Sequence, residues 1–299
     1  MAEQLCDVGR GITLCYETFG EESAPPLVLI MGLGMQMVGW PDGFCAQLAD
    51  RGFYVLRFDN RDAGRSTHIS APPPTPGQLL RRRIKPVLYT LSDMAQDTQG
   101  LLSALGLEPA HVVGASMGGM IAQEVAAEHP ASVRSLVSVM SNTGSLWRGQ
   151  PSLAIYRFLL RAAPADRDGF IAHTSRVFAA IGSRGLAQDP ELVREIAART
   201  WDRGNDPAGS GRQLGAIIAS GNRTQHLHRI AAPTLVIHGS KDPMVSRSGG
   251  IATARAIPRA RMVTIQGMGH DLPRAAWPQL LDAIADHAQS VDRTPVPAA

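Results

Sequence analysis

The sequence predicts an α/β fold: a mostly parallel central sheet of about eight strands, helices on both faces and a helical cap. Three observations carry this. Short unbroken apolar runs, such as Leu27-Val28-Leu29-Ile30-Met31, mark strands buried on both faces. These runs alternate with helix-length segments whose apolar residues recur at helical spacing. Between residues 144 and 229 strand-like runs vanish and helical segments take over, and then the alternation resumes.

Residues 3–8 and 12–19 read as two strands joined by Gly9-Arg10-Gly11, a hairpin. The run from Leu27 ends at Gly32-Leu33-Gly34. A short helix over 41–51 places Phe44, Leu48 and Ala49 on one side, and a strand over 54–58 leads into the polar loop Asp59-Asn60-Arg61-Asp62-Ala63-Gly64-Arg65-Ser66. Residues 70–77, Ser-Ala-Pro-Pro-Pro-Thr-Pro-Gly, read as an exposed excursion that is neither helix nor central strand. Arg81, Arg82, Arg83 and Lys85 follow it and read as a solvated charged face. A helix over 91–105 is signalled by the capping-box spacing of Thr90 and Asp93, with Met94, Leu101, Leu102 and Leu105 on one face. A strand over 110–115, a helix stopping before Pro130 and a strand over 133–140 come next. Helices are expected over 153–161, 170–181, 191–201 and 212–218, then strands over 234–237 and 261–266 and a final helix over 273–288. The domain reading is a core of residues 1–143 and 230–290, a cap of 144–229 and a loose tail of 291–299.

With 44% hydrophobic and 18% charged residues, the chain has ample material for a core and is no candidate for disorder. A net charge of +3 makes no case for nucleic acid. Cys6, Cys15 and Cys45 form no disulfide framework and no C-x-x-C pair, so a reducing, cytoplasmic location is expected. Neither a secretory leader nor an integral membrane segment is read.

The chemistry centres on Gly114-Ala115-Ser116-Met117-Gly118-Gly119, between the apolar run His111-Val112-Val113 and a helical run. A strand, a sharp turn with serine at its apex and an immediate helix form the G-x-S-x-G nucleophile elbow. The residues two before and two after the serine must lack bulk, because the turn is tight. A serine nucleophile needs a base, and the base needs an orienting carboxylate. Asp242 follows the strand ending in Ile237-His238-Gly239, and His270 stands in the loop Gly267-Met268-Gly269-His270-Asp271 after the last strand. His238 lies upstream of Asp242, against the chain order Ser, acid, His, and reads as structural. Ser141-Asn142-Thr143, another place for an acid, offers no carboxylate. The oxyanion donors are expected at the amides of Met117 and Leu33.

These segments resemble the α/β-hydrolase superfamily, and within it bacterial serine esterases related to aclacinomycin methylesterase. The resemblance is carried by M-G-L-G-M-Q-M-V-G-W-P (31–41), R-F-D-N-R-D-A-G-R-S (57–66), H-V-V-G-A-S-M-G-G-M (111–120), L-V-I-H-G-S-K-D-P (235–243) and G-M-G-H-D-L-P (267–273). It implies nucleophile, acid and base at Ser116, Asp242 and His270, oxyanion donors at Leu33 and Met117, and no metal or organic cofactor. It departs from the pattern at Met31-Gly32, where many relatives carry His-Gly. The expected activity is hydrolysis of short- to medium-chain or otherwise apolar carboxylic esters, esterase- or lipase-like, through an acyl-enzyme. Acyltransferase, perhydrolase, methylesterase and lactonase chemistry on the same triad stay open, as does a ligand-binding protein without turnover. A dinucleotide-binding reading of Gly32, Gly34, Gly39 and Asp59 fails on spacing. Methionine is concentrated near the site, and a soft apolar pocket is expected from Met35, Met37, Met244 and Met268, with Trp40, Trp147 and Trp201 adding to the wall. The expected partner is a small-molecule ester, and the chain is expected to be a monomer or homodimer.

Overall fold

The computed structural model describes residues 2–152, 154–155 and 164–293. Eight strands form one sheet in the order β1-β2-β4-β3-β5-β6-β7-β8. β1 (Gln4–Asp7) and β2 (Thr13–Phe19) are the hairpin, and β2 pairs antiparallel with β4 (Tyr54–Phe58). From β4 onward every pairing is parallel, through β3 (Pro26–Ile30), β5 (Ala110–Ala115), β6 (Val133–Val139), β7 (Thr234–Gly239) and β8 (Arg261–Ile265). The unbroken apolar runs are central: β3 is buried from Leu27 to Ile30 and β5 throughout.

Helices cover both faces. On one, α3 (Leu91–Ala104) and α4 (Met117–Glu128) pack on Val28, Ile30 and Val112 through Met94, Leu101, Ile121 and Val125. On the other, α1 (Asp42–Ala49) and the last helix (Trp277–Asp292) pack on Leu27, Leu29 and Val113 through Phe44, Leu48, Leu280 and Ile284. Each fully buried side chain of this size contributes about 1.5–3 kcal/mol, so the sheet with its two coats is the stable frame. The Thr90 hydroxyl accepts the Asp93 N–H while Asp93 receives the Thr90 N–H at 2.8 Å, closing the box expected at the start of α3.

Three expectations are corrected. The excursion at 70–77 ends in a short helix, α2 (Pro76–Leu80), because Thr75 caps it and Pro76 sits at its first position, where a missing N–H costs nothing. Arg81, Arg82, Arg83 and Lys85 beyond it are exposed. The final helix starts later than expected, after a 3-10 turn at Arg274–Ala276, and runs on to Asp292, so 291–292 are not a loose tail. Its register keeps Ala285 and Ala288 buried on the core-facing side. The rest of the expected tail, 294–299, and the helix expected over 153–161, apart from 154–155, lie outside the described residues.

Between β6 and β7 the described residues form α5 (Arg167–Ile181), α6 (Pro190–Asp202), α7 (Pro207–Ser220) and α8 (Thr224–Leu227). After β7 come α9 (Arg247–Ala256), then β8 and α10 (Trp277–Asp292). No described helix is long and apolar enough to cross a membrane.

Candidate active site

Ser116 stands between β5 and α4 with φ 55° and ψ −117°, a conformation L-residues seldom adopt. The turn holds because the residues two positions before and after the serine have no side chain. A Cβ at Gly114 would lie 2.1 Å from the Gly118 carbonyl oxygen, and one at Gly118 2.1 Å from that of Ile30. The Ser116 N–H bonds to the Val139 carbonyl at 2.9 Å, tying the turn to β6. Its hydroxyl is left half-buried at the positive end of α4.

His270 Nε2 lies 3.0 Å from Ser116 Oγ, and His270 Nδ1 lies 2.8 Å from Asp242 Oδ2. The Asp242 side chain is fully buried, and its Oδ1 accepts the N–H groups of Met244 at 2.9 Å and Val245 at 2.8 Å. Those bonds leave Oδ2 free for the imidazole. A proton on Nδ1 and an accepting Nε2 satisfy every contact, and in that tautomer the ring can take the serine proton. His238 donates from Nε2 to the Val245 carbonyl at 2.8 Å and stays 3.6 Å from Asp242 Oδ2. Burial pushes its pKa down, so it is held neutral beside the carboxylate.

Two backbone N–H groups belong to segments beside the serine. Met117 opens α4, so its N–H has no partner within the helix. Leu33 follows Gly32, and a Cβ on Gly32 would meet Ser116 Cβ at 3.2 Å. Among the described residues the Leu33 amide bonds to no backbone carbonyl. Such paired donors, next to a hydroxyl with a base, suit attack on a carbonyl whose oxygen gains charge.

Of the seven expected pocket residues, the structure keeps surface accessible to solvent at Met35, Met244 and Trp201, all half-buried. Met35 converges with Met31 on Gly39, while Trp201 packs on the Phe170 ring at 5.5 Å. Four others are corrected. Met37, Trp40 and Met268 are each 0% exposed, so they touch no space that admits a water molecule, let alone a substrate. Met37 packs with Cys15 and Val38, Trp40 with Phe44 at 5.5 Å. Trp147 is 89% exposed and walls nothing. The hydrophobicity that brought these residues to notice is spent on the core in three cases.

The sequence reading missed the groups that tie the inserted helices to this site. Arg203, at the end of α6, pairs with fully buried Asp59 at 2.7 Å and with Glu3 at 2.8 Å. Burial disfavours its charge, but these hydrogen bonds outweigh that and raise its pKa. Arg212 on α7 pairs with buried Asp62 at 2.8 Å, and Tyr89 donates to the same carboxylate at 2.6 Å. Gln213 reaches the loop of Leu33, and Ser183 donates to Asp271 and accepts the Gly269 N–H at 2.9 Å. The signal was available in the charge-rich loop 59–66, placed directly after a buried strand. Burial there demands partners, and two arginines of the insertion supply the charged partners of Asp59 and Asp62.

Residues 25–273 match the family model of the alpha/beta hydrolase fold. The chain belongs to that family. A rhodomycin D methylesterase of Streptomyces sp. (strain C5) is 28% identical, over 93% of this chain and 96% of its own. Among solved structures, a hydrolase from Pseudomonas aeruginosa PA01 matches with a TM-score of 0.70 and 24% identity, covering 98% of each chain. The enol-lactonase from Burkholderia xenovorans LB400 matches with a TM-score of 0.69 and 24% identity, over 97% of this chain and all of its own, 100%. This alpha/beta hydrolase therefore shares its fold with these proteins over nearly its whole length.

Proposed function

We propose that this protein hydrolyses carboxylic esters through an acyl-enzyme, with Ser116 as nucleophile, His270 as base and acid, and Asp242 as the orienting carboxylate. The observation that carries the reading is the unbroken hydrogen-bond path from Ser116 Oγ to His270 at 3.0 Å and on to Asp242 at 2.8 Å. The similar methylesterase and enol-lactonase both act, by name, on ester-type bonds, which supports the same bond class here.

In the first half-reaction Ser116 Oγ bonds to the carbonyl carbon as its proton passes to His270 Nε2. The carbonyl oxygen becomes an oxyanion received by the Leu33 and Met117 amides, each such donor contributing about 3 kcal/mol. The C–O bond to the alcohol breaks, and His270 returns the proton to the leaving oxygen. Water then repeats the cycle on the acyl-serine, releasing the acid and restoring the hydroxyl. Met31, Met35, Met244 and Trp201 give the site an apolar side fit for the acyl or alkyl part. The inserted helices serve as the cap that shapes the entrance.

A graded panel of nitrophenyl esters, followed by mass spectrometry after a phosphonate trap, tests the reading. The expected result is turnover rising with apolar acyl groups and one adduct, on Ser116. An adduct elsewhere, or no turnover on any ester, overturns it.

A further inference from the structure

The segment carrying the Leu33 amide, residues 31–35, has no helix or strand to hold it. It is a tight turn. The Met35 N–H bonds to the Gly32 carbonyl at 3.2 Å, and Gly34 takes φ +68° at the third position, where a side chain would be strained. Gly32 C=O and Leu33 N–H belong to one trans peptide and point opposite ways. The direction of the Leu33 donor therefore depends on that turn keeping its shape.

The turn is gripped from outside the sheet. Gly34 N–H donates to Gln213 Oε1 at 2.8 Å, and Gln213 Nε2 donates to the Arg61 carbonyl at 2.8 Å. Gln213 is fully buried, 0% exposed, on α7. One helical turn away, Ser210 stands so close that a Cβ on Gly34 would lie 2.7 Å from its hydroxyl. Asn60 Nδ2 holds the other end through the Met31 carbonyl at 3.0 Å. Gln213 spans the insertion, the loop after β4 and the turn beside Ser116 with a single amide whose two ends are both used.

We propose that Gln213 is a positioning residue: by fixing the central peptide of the 32–35 turn, it aims the Leu33 amide at the substrate's carbonyl oxygen. Its structural half rests on these hydrogen bonds alone. Its catalytic consequence rests on the acyl-enzyme reading. The insertion is then part of the catalytic apparatus, and α7 stays docked throughout turnover.

Gln213→Met keeps the side-chain length and removes both bonds. Amide exchange at Gly34, read by NMR or on a peptide spanning 31–36, is expected to accelerate at least about tenfold. Turnover kcat should fall about tenfold to a hundredfold, less than the loss of a whole oxyanion donor, with KM within about twofold. Affinity for a boronic acid that forms a tetrahedral serine adduct should fall by the same factor as kcat, and affinity for the product carboxylate should hold. Gln213→Glu keeps an acceptor toward Gly34 but loses the donor to the Arg61 carbonyl, so it should recover kcat only in part. If the Met variant fails to fold, Gln213→Asn, one methylene too short for the same reach, reads the same losses. Unchanged Gly34 exchange, or equal loss of affinity for boronate and carboxylate, overturns the proposal. Failure of the phosphonate to label wild-type Ser116 instead overturns the acyl-enzyme reading and with it the catalytic consequence, while Gly34 exchange still reports on the anchoring.

Discussion

The nucleophile turn and the helices between β6 and β7 hold their functional groups by opposite means. At Ser116 the constraint is local and steric: missing side chains at Gly114 and Gly118 let three backbone segments close to within contact of one another. In the insertion it is long-range and polar. Arg203, Arg212 and Gln213 cross to Asp59, Asp62 and the 32–35 turn, partners distant in sequence, the two carboxylates almost wholly shielded from water. The His270 loop shares both characters. It lies at the end of β8, yet its N–H groups reach back to the insertion, His270 to the Ile181 carbonyl at 2.8 Å and Gly269 to Ser183. A steric device tolerates almost no change at a few positions, whereas a polar dock spreads its dependence over many and fails when one charge loses its partner.

The largest expected effect lies at the turn. Ser116→Ala or His270→Ala should lower kcat by about 10⁶, and Asp242→Asn by about 10⁴, with the fold intact by circular dichroism. Comparable losses from changes confined to the insertion would break the contrast.

Next comes the dock. Asp59→Ala takes from Arg203 its fully buried carboxylate and leaves it Glu3, and should cost about 3 kcal/mol in urea unfolding. If the insertion is fused to the core as these bonds indicate, one cooperative transition shifts as a whole. A separate early transition, or proteolytic nicking within 167–227 with the core intact, would show an independent unit.

Smaller again is a pH effect from histidines buried in the sheet and in the last helix packed on it. Burial lowers the pKa values of His111, His238 and His287 below the ordinary value of 6.5. The unfolded chain then takes up protons near pH 6.5 that the folded chain refuses, so stability is full above that pH and falls as pH drops through 6.5 toward 5. Each histidine contributes at most about 1.4 kcal/mol per pH unit. Urea midpoints between pH 7.5 and 5 check the sign, and His287→Gln should flatten the slope. The smallest effect is Thr90→Ala, which removes the cap of α3 and should cost about 1 kcal/mol by thermal unfolding, with kcat unchanged.

Most elements were legible because their causes are local. Leu27–Ile30 is an unbroken apolar run inside β3, and Thr90 with Asp93 announces α3 within four residues. Ser116, Asp242 and His270 were legible because each follows a strand, and strand ends collect on one edge of a parallel sheet. The pocket was not. Met37, Trp40 and Met268 are apolar for the core's sake, and an apolar side chain does not declare which space it fills. Nor did Gln213 stand out, since one amide in an Ala- and Gly-rich helix has no periodicity to reveal its use.

By itself the sequence determined the succession of strands and helices along the chain, the turn that needs glycine, and the placing of Ser116, Asp242 and His270 after three strand ends, because sterics and hydrophobic burial act within a few residues. Only the tertiary structure decided which polar groups meet across the insertion, which apolar residues are spent on the core, and which side chain bonds the 32–35 turn. Pairing between distant residues depends on where whole helices settle, and that is set by the packed molecule rather than by any short stretch of its chain.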